Sequence, residues 1–275
     1  MITLNDKEVK IEHFPDGSQR LKLNIEESTQ DFLIKWFYTS DEELFTLICI
    51  KKHIDNIKNK DVSVNLFLPY LVNARMDRVK NPDEVFTLKY FCQIINDLHF
   101  DHVVIFDPHS DVCTALLDRV IVDDAAHYFH SYVLAELSTE VDAKDLVIFF
   151  PDNGAMKRYS DGFSSEYERT YGSKNRDWRS GKILGYEIIN PEVVKDKNVL
   201  IVDDICSYGG TFYRAAKALK AAGAKNIYLA VTHAENSMVL GDMYNTEGLI
   251  ETIYTTNSIF NPALDCHDKV VTMLI

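Results

Sequence analysis

Two adjacent acids and the Gly-rich turn behind them are the residues whose types and spacing best suit chemistry. Asp203 and Asp204 follow the apolar run 199–202, and residues 207–211 lead into a segment with helical spacing. Carboxylates at the carboxyl end of a parallel strand lie where open α/β sheets bind ligands, and they accept hydrogen bonds from sugar hydroxyls or hold a divalent cation. Backbone N–H groups at a helix N-terminus favour a phosphate. The pattern predicts a sugar-phosphate site, although the turn without the acids would fit a plain strand-turn-helix equally well.

Apolar strands that end in polar residues must position this site. They cover residues 62–71, 102–111, 145–154, 198–204 and 226–234, with 250–259 as a further candidate. Helical spacing lies between them, in 41–59 and in a helix that we expect to open at 81–84. Strands that alternate with helices predict parallel sheets. We therefore predict an α/β protein of two similar domains, 1–138 and 139–275.

Composition narrows the class of protein. The 275 residues are 46% hydrophobic and 26% charged, which is typical of a globular protein large enough for two domains. A net charge of −13 disfavours nucleic acid and anionic membranes as partners. No apolar run is long enough to span a membrane, and the first ten residues lack a signal-peptide core, so we expect a cytoplasmic protein. The five cysteines have no CxxC spacing, which predicts free thiols.

Residues 159–182 differ in kind from the rest of the chain. They are rich in Ser, Gly, Arg, Lys and Asp and contain few aliphatic residues. A structureless stretch of this length in a compact domain is usually a functional lid or disordered. We expect a mobile loop here.

Six motifs spread over nearly the whole chain resemble those of the ribose-phosphate pyrophosphokinase (PRPP synthetase) family. They are FPDGS at 14–18, PYLVNARMDR at 69–78, FDPHSD at 106–111, FPDNGAMKR at 150–158, the acid pair with its loop at 203–211, and the strand ends VTHA and TTNSI at 231–234 and 255–259. Simple phosphoribosyltransferases resemble this chain in the 203–211 loop but not in the other motifs. The resemblance implies two phosphoribosyltransferase type I-like domains, each with a mostly parallel sheet flanked by helices.

The resemblance also implies roles, position by position. His109 and Asp152 match the ligands of the catalytic magnesium ion. The ATP-binding positions are Phe14, Asp16, Arg75 and Asp77, of which the first two match residues that hold adenine from a neighbouring subunit. Ribose and its 5-phosphate match Asp203, Asp204, Ser207, Tyr208, Gly209, Gly210 and Thr211. Lys174 and Arg176, in YGSKNRDW, match the catalytic Lys-x-Arg of a mobile loop.

The activity that this family likeness implies is diphosphoryl transfer. The β,γ-diphosphate of Mg-ATP would move to the C1 hydroxyl of a ribose, and AMP would be released. Mg²⁺ would be the cofactor and ATP a co-substrate, and the partners would be small molecules together with other copies of the chain, as a dimer or hexamer. Two other interpretations stay open: a phosphoribosyltransferase that consumes PRPP, and a non-catalytic regulatory relative.

The loop departs from the family pattern. The usual Asp-Thr-x-Gly-Thr is replaced by Ser207, Tyr208, Gly209, Gly210 and Thr211. An aromatic side chain at 208 could stack on a base, and the loss of the acid would reduce repulsion towards a diphosphate. Two acceptors therefore stay open: ribose 5-phosphate, which would give PRPP, and ADP-ribose, the acceptor of the similar viral branch that rebuilds NAD. The substitutions favour ADP-ribose.

Overall fold

The computed structural model describes residues 1–58, 62–176, 183–264 and 269–275. It divides into two compact units, Met1–Asp124 and Ala125–Ile275. This division lies earlier in the chain than the predicted boundary after residue 138. The helical residues just before that boundary pack into the second unit, where the Phe129 ring contacts the rings of Tyr159 and Phe163.

The first unit is a six-stranded sheet with helices. Its strands are β1 (Ile2–Leu4), β2 (Lys7–Glu8), β5 (Asp31–Trp36), β6 (Ser63–Leu68), β7 (Val103–Phe106) and β8 (Val120–Asp123), and a separate hairpin is formed by β3 (Ile11–His13) and β4 (Gln19–Leu21). The helices are α1 (Glu42–Ile57), α2 (Thr87–Asp97) and α3 (Asp111–Leu116). The sheet order is β2-β1-β5-β6-β7-β8, and β5 to β8 run parallel.

Helix α2 begins at Thr87 and not at residues 81–84, so the predicted start was wrong. Glu84 accepts hydrogen bonds from the backbone N–H groups of Lys80 and Asn81, at 2.7 and 3.3 Å, and from the Asn81 side-chain amide at 2.7 Å. These bonds close a turn ahead of the helix. The acid therefore stabilises a turn and does not interact with a helix N-terminus.

The second unit is a seven-stranded sheet with helices. Its strands are β9 (Leu146–Phe150), β10 (Glu168–Arg176), β11 (Ile183–Ile188), β12 (Asn198–Cys206), β13 (Ile227–Ala234), β14 (Ile253–Thr256) and β15 (Val270–Met273). The α-helices are α4 (Ala126–Tyr128), α5 (Ala135–Leu137), α6 (Asn153–Tyr159), α7 (Gly210–Ala221) and α8 (Asp242–Asn245), and a π-helix (Phe129–Leu134) joins α4 to α5. Short 3-10 helices cover Ala143–Asp145, Ser160–Gly162, Pro191–Val194 and Asn236–Leu240.

Strand β12 occupies the middle of this sheet. The order is β11-β10-β9-β12-β13-β14-β15, in which only the β10–β11 pair is antiparallel among the described strands. Residues Val199, Leu200, Ile201 and Val202 of β12 are fully buried. Strands that are covered on both faces have continuous apolar sequences. For this reason the positions of β12, and of α7 directly after it, could be predicted from the sequence. The predicted α/β fold with parallel-rich sheets and flanking helices is confirmed.

The expectation of a structureless segment over 159–182 was wrong for part of its length. Residues 168–176 form β10, which pairs in parallel with β9 and antiparallel with β11. Gly172 is required in this strand, because a Cβ there would lie 2.0 Å from the Tyr186 hydroxyl. Backbone pairing on both sides holds the strand, so it forms without an apolar run. Residues 177–182 lie outside the described part of the chain.

Within the described ranges, no helix has the length and apolar character needed to cross a bilayer.

Candidate active site

The acid pair lies near the end of β12 and is embedded in the sheet. The Asp204 side chain is buried, and its backbone N–H donates a hydrogen bond of 3.0 Å to Asp203 Oδ1. Side chains alternate across a strand, so the two carboxylates leave β12 on opposite faces. The Asp203 side chain remains partly exposed and is the more accessible of the two.

Negative charge is concentrated around Asp203. Burial raises the pKa of this carboxyl well above its usual range, and the nearby charges of Asp204 and Asp152 raise it further. One cation offsets the cluster, since Arg158 Nη1 lies 3.6 Å from Asp204 Oδ2. A ligand that brings hydroxyl donors or a cation to Asp203 would therefore be favoured there.

A buried network of hydroxyls fixes the backbone at the acids. The Thr232 hydroxyl donates to the Asp204 carbonyl at 2.8 Å. The Thr232 carbonyl in turn accepts from the hydroxyls of Thr256, at 2.7 Å, and Ser258, at 3.3 Å. All three hydroxyl residues are fully buried. Such bonds are stronger inside a protein than in water, and they hold the end of β12 against β13.

The Gly-rich loop turns the chain sharply from β12 into α7. Gly209 has φ +74°, a conformation that favours glycine, and a Cβ there would lie 2.9 Å from Met243 Sδ. A Cβ at Gly210 would meet only open space. The first N–H groups of α7 have no intrahelical acceptor, so they are available to an anion.

The two altered side chains of this loop point in different directions. The Ser207 hydroxyl donates to Glu235 Oε2 at 2.6 Å, and the Ser237 hydroxyl contacts the same oxygen at 3.2 Å. Tyr208 is 61% exposed. The loop itself contains no acid, but Glu235 places a carboxylate beside Ser207, which counteracts the expected decrease in repulsion towards a diphosphate.

Glu235 and Arg158 were not assigned a role from the sequence. Glu235 follows β13 directly, and its backbone N–H donates to the Cys206 carbonyl at 2.8 Å across the β12–β13 pair. Only the strand register would have placed it at the loop. Arg158 lies within the quoted motif 150–158, six positions beyond Asp152 and on the helix that Asp152 opens. This spacing from Asp152, within one motif, is the sequence feature that would indicate Arg158 as a site residue.

Asp152 is the N-cap of α6. Its Oδ1 accepts from the backbone N–H groups of Gly154, at 3.0 Å, and Ala155, at 3.1 Å. Capping directs the carboxylate to the carboxyl end of β9, on the side of the sheet where β12 places Asp203. Cys206 is fully buried, and burial raises the pKa of its thiol, so this cysteine packs under the loop and is poorly suited to act as a nucleophile.

In the first unit, Asp77 lies close enough to His109 for an electrostatic interaction between the two side chains. Burial alone would raise the pKa of Asp77, but hydrogen bonds from Arg78 and Ser110 outweigh burial, and the pKa is lowered. The Arg78 Nε to Asp77 Oδ1 distance is 2.9 Å. His109 follows a sharp turn at Asp107, where φ is +42°. Arg75 is exposed nearby in sequence.

The β3–β4 hairpin presents Phe14 and Asp16 in its turn. Phe14 is 49% exposed, and Asp16 Oδ1 accepts from the Ser18 hydroxyl at 2.6 Å and the Ser18 amide at 2.9 Å. These bonds lower the pKa of Asp16 and keep it ionised. Residues 14–18 thus form the turn between β3 and β4.

Some predicted residues are not brought together within one unit. His109 belongs to the first unit and Asp152 to the second. Among the described residues, no group of three or more His, Cys, Asp or Glu side chains has metal-site geometry. Lys174 and Arg176 lie on β10, with Lys174 opposite Tyr186 in the β10–β11 register, and their side chains lie outside what the structure describes. The proposed roles of these four residues stay predictions.

Parallel sheets, an acid pair at a strand end and a glycine-rich turn into a helix together define a phosphoribosyltransferase-type α/β protein. A family profile described as "Phosphoribosyl transferase domain" matches residues 134–262. The phosphoribosylpyrophosphate synthetase of Mycobacterium smegmatis has a similar structure, with a TM-score of 0.75 over 97% of this chain and 86% of that one, at 19% identity. At that identity the likeness concerns the fold.

Curated relatives narrow the class. The ribose-phosphate pyrophosphokinase of Chlorobaculum tepidum is 31% identical over 98% of this chain and 80% of its own length. The enzyme of the same name from Thermococcus kodakarensis is 29% identical over 93% of this chain and 87% of its own length. The chain belongs to the ribose-phosphate pyrophosphokinase family, and it is a transferase.

The raised pKa of Asp203 predicts a pH-dependent gain in stability for Asp203→Asn. An acid with a raised folded-state pKa stabilises the fold fully below its unfolded pKa, about 3.9, and loses that contribution as the pH rises towards the folded-state value. Asparagine is neutral throughout. The variant should therefore exceed the parent in free energy of unfolding at pH 7.5, with a smaller difference near pH 4.

Urea denaturation at both pH values, with a chelator present, measures this difference. Asp196→Asn, an exposed acid in a turn of the same unit, is the control and should show no such trend. If Asp203→Asn changed the free energy of unfolding by the same amount at both pH values, the raised pKa of Asp203 would be contradicted.

Proposed function

We propose that the protein transfers the β,γ-diphosphate of ATP to the C1 hydroxyl of a ribose that carries a 5-phosphate, with release of AMP. The observation that supports this most directly is the position of the acid pair and the Gly-rich loop, in a chain that aligns with pyrophosphokinases over almost its full length. The acids suit ribose hydroxyls and the loop suits the 5-phosphate. The two features are adjacent in sequence, at the end of β12 and the start of α7.

Asp203 and Asp204 would orient the ribose. Asp203 is partly exposed and surrounded by negative charge, so hydrogen bonds from sugar hydroxyls relieve an unfavourable state. Asp204 is held by Arg158 and by the hydroxyl network, which limits its movement. Positioning of the acceptor hydroxyl is a large part of catalysis when no general base is present.

Backbone N–H groups of residues 207–211 would bind the 5-phosphate. Gly210 leaves the approach to these groups open, because a Cβ at this position would meet nothing within 4 Å. Lys174 and Arg176 would stabilise the negative charge that develops on the transferred diphosphate, and Arg75 and Asp77 would contact ATP. Each of these assignments rests on the motif in which the residue occurs.

Magnesium would be held by His109 and Asp152 together with ATP phosphates. The donor chemistry fits, because Mg²⁺ prefers oxygen ligands such as the Asp152 carboxylate, and the negative charge around Asp203 favours a cation in the same region. The ion supplies charge neutralisation on the phosphate oxygens when bound.

A further element of the proposal is a homo-oligomer, a dimer or a hexamer. Phe14, at the tip of the β3–β4 hairpin, is an exposed aromatic side chain in a turn that is rigidified by Asp16. Such a side chain could pack on the adenine of ATP bound by a neighbouring copy.

The finer proposal concerns the acceptor. Tyr208 is exposed at the position where the family loop has a small hydroxyl residue. The Ser207 hydroxyl donates a hydrogen bond to Glu235 and is not directed outward. We favour ADP-ribose over ribose 5-phosphate, because the loop then offers an aromatic surface to the part of the acceptor beyond the 5-phosphate.

The proposal is tested by AMP release from Mg-ATP with each acceptor in turn. We expect AMP with at least one of them and a higher kcat/KM with ADP-ribose. AMP with ribose 5-phosphate alone would contradict the finer proposal. If neither acceptor gives AMP, the pyrophosphokinase proposal is wrong, and PRPP with a free base, in the absence of ATP, becomes the assay for phosphoribosyl transfer.

Lys174→Ala should lower kcat by about 10²–10³-fold, the usual loss when a group that stabilises transition-state charge is removed. The change should leave the far-ultraviolet circular dichroism unaltered. Lys225→Ala, an exposed lysine after α7, is the matched control and should behave as the parent does. An equal kcat in the Lys174 variant would remove this residue from the mechanism.

Asp152→Asn separates capping from metal binding. Asparagine is as good an N-cap as aspartate, so the melting temperature should stay within about a degree of the parent value. The loss of a carboxylate should raise the Mg²⁺ concentration for half-maximal AMP formation by about tenfold. A titration of Mg²⁺ at fixed ATP measures this, and an unchanged half-maximal concentration would refute the role of Asp152 in holding the ion.

A further inference from the structure

A groove of about 450 Å³ opens directly beside the phosphate loop. Its lining includes Tyr208, Gly210, Tyr213, Arg214, Leu240 and Asp242. Ligand pockets usually measure about 300–1,000 Å³, so the groove is large enough for part of a small molecule. It continues from the loop itself, because Tyr208 and Gly210 belong to both.

Close backbone packing fixes the floor of the groove. A Cβ at Gly241 would lie 1.9 Å from the Tyr208 carbonyl oxygen, and the Met243 side chain lies against Gly209. The segment that carries the 3-10 helix Asn236–Leu240 and α8 therefore contacts the loop without an intervening side chain. The backbone that carries Leu240 is therefore packed directly on the backbone of Tyr208.

Two large side chains are exposed at the walls of this groove. Tyr208 is 61% exposed and Leu240 is 71% exposed. Single exposed apolar residues are common and need no explanation. Here an aromatic ring and an aliphatic side chain line the same cleft, and a flat aromatic ligand between them would cover apolar surface that is otherwise in water.

The groove also carries a cation. Arg214 lies on the first turn of α7, is exposed, and makes no ion pair with any other residue in the described ranges. Its guanidinium suits the oxygens of a phosphate, which it can bind in a bidentate manner. The neighbouring Tyr213 already contacts the Lys217 amine, at 3.3 Å from its hydroxyl.

We infer that this groove binds the second phosphate and the nucleoside of an acceptor whose ribose 5-phosphate is linked through a diphosphate to a nucleoside. Arg214 contacts the second phosphate, and the base lies between Tyr208 and Leu240. The inference rests on the proposed function for the position of the first phosphate. It assigns acceptor specificity to residues outside the acid pair and outside the catalytic cations.

Calorimetric binding without ATP tests the groove independently of catalysis. We expect ADP-ribose to bind at least about tenfold more tightly than ribose 5-phosphate, because stacking and the second phosphate add to the shared contacts. Tyr208→Phe should retain this ratio, since the ring is kept. Leu240→Ala should weaken ADP-ribose binding by about fivefold or more and leave the affinity for ribose 5-phosphate within about twofold.

The matched control is Leu274→Ala, an equally exposed leucine in the same unit, at 70% exposure. It should not change either affinity. Thermal melting of each variant verifies folding, and Arg214→Gln provides a second route if Leu240→Ala is unstable. Equal affinities of the parent for the two ligands, or equal losses for both ligands in Leu240→Ala, would overturn the groove assignment. A failure of AMP release with intact, discriminating binding would instead overturn the proposed reaction alone.

Discussion

The structure of the second unit depends on the placement of two adjacent carboxylates inside a parallel sheet. Burial and mutual repulsion make this arrangement unfavourable, and the raised pKa of Asp203 records that cost. The central position of β12 holds the acids there, because strands on both sides pair with its backbone. The Thr232 hydroxyl fixes the carbonyl of Asp204, so the pair cannot relax by bending away. A ribose that donates its hydroxyls, or a cation, restores the balance.

The loop that follows keeps its backbone conformation while two of its side chains differ from the family pattern. Its glycines keep the turn and the open approach to the α7 amides. Ser207 points inward to Glu235, so a carboxylate remains beside the loop although it now originates on the neighbouring strand end. Tyr208 points outward, towards the groove that Leu240 completes. In the proposed function, the backbone that would bind the phosphate and the surface that would select the remainder of the acceptor are separate features of a single turn.

The sequence predicted the elements whose patterns reflect their burial. Strands β9, β12 and β13 are covered on both faces and read as apolar runs, and the Gly-rich turn located the start of α7. Strand β10 was missed because backbone pairing, and not apolar content, holds it. The acid pair and the loop were found because adjacent residues form them. Glu235 and Leu240 lie beside the loop because of strand register and packing. Neither residue has a spacing in the sequence that would predict this position.

The central claim is that two phosphoryl groups move together from ATP to the C1 hydroxyl of a ribose. Phosphorus NMR of the reaction mixture with Mg-ATP and ADP-ribose tests it most directly. The account predicts AMP as the nucleotide product and a new diphosphate whose inner phosphorus couples to the C1 proton of the ribose. The appearance of ADP with a monophosphorylated acceptor would show transfer of a single phosphoryl group and would contradict the account.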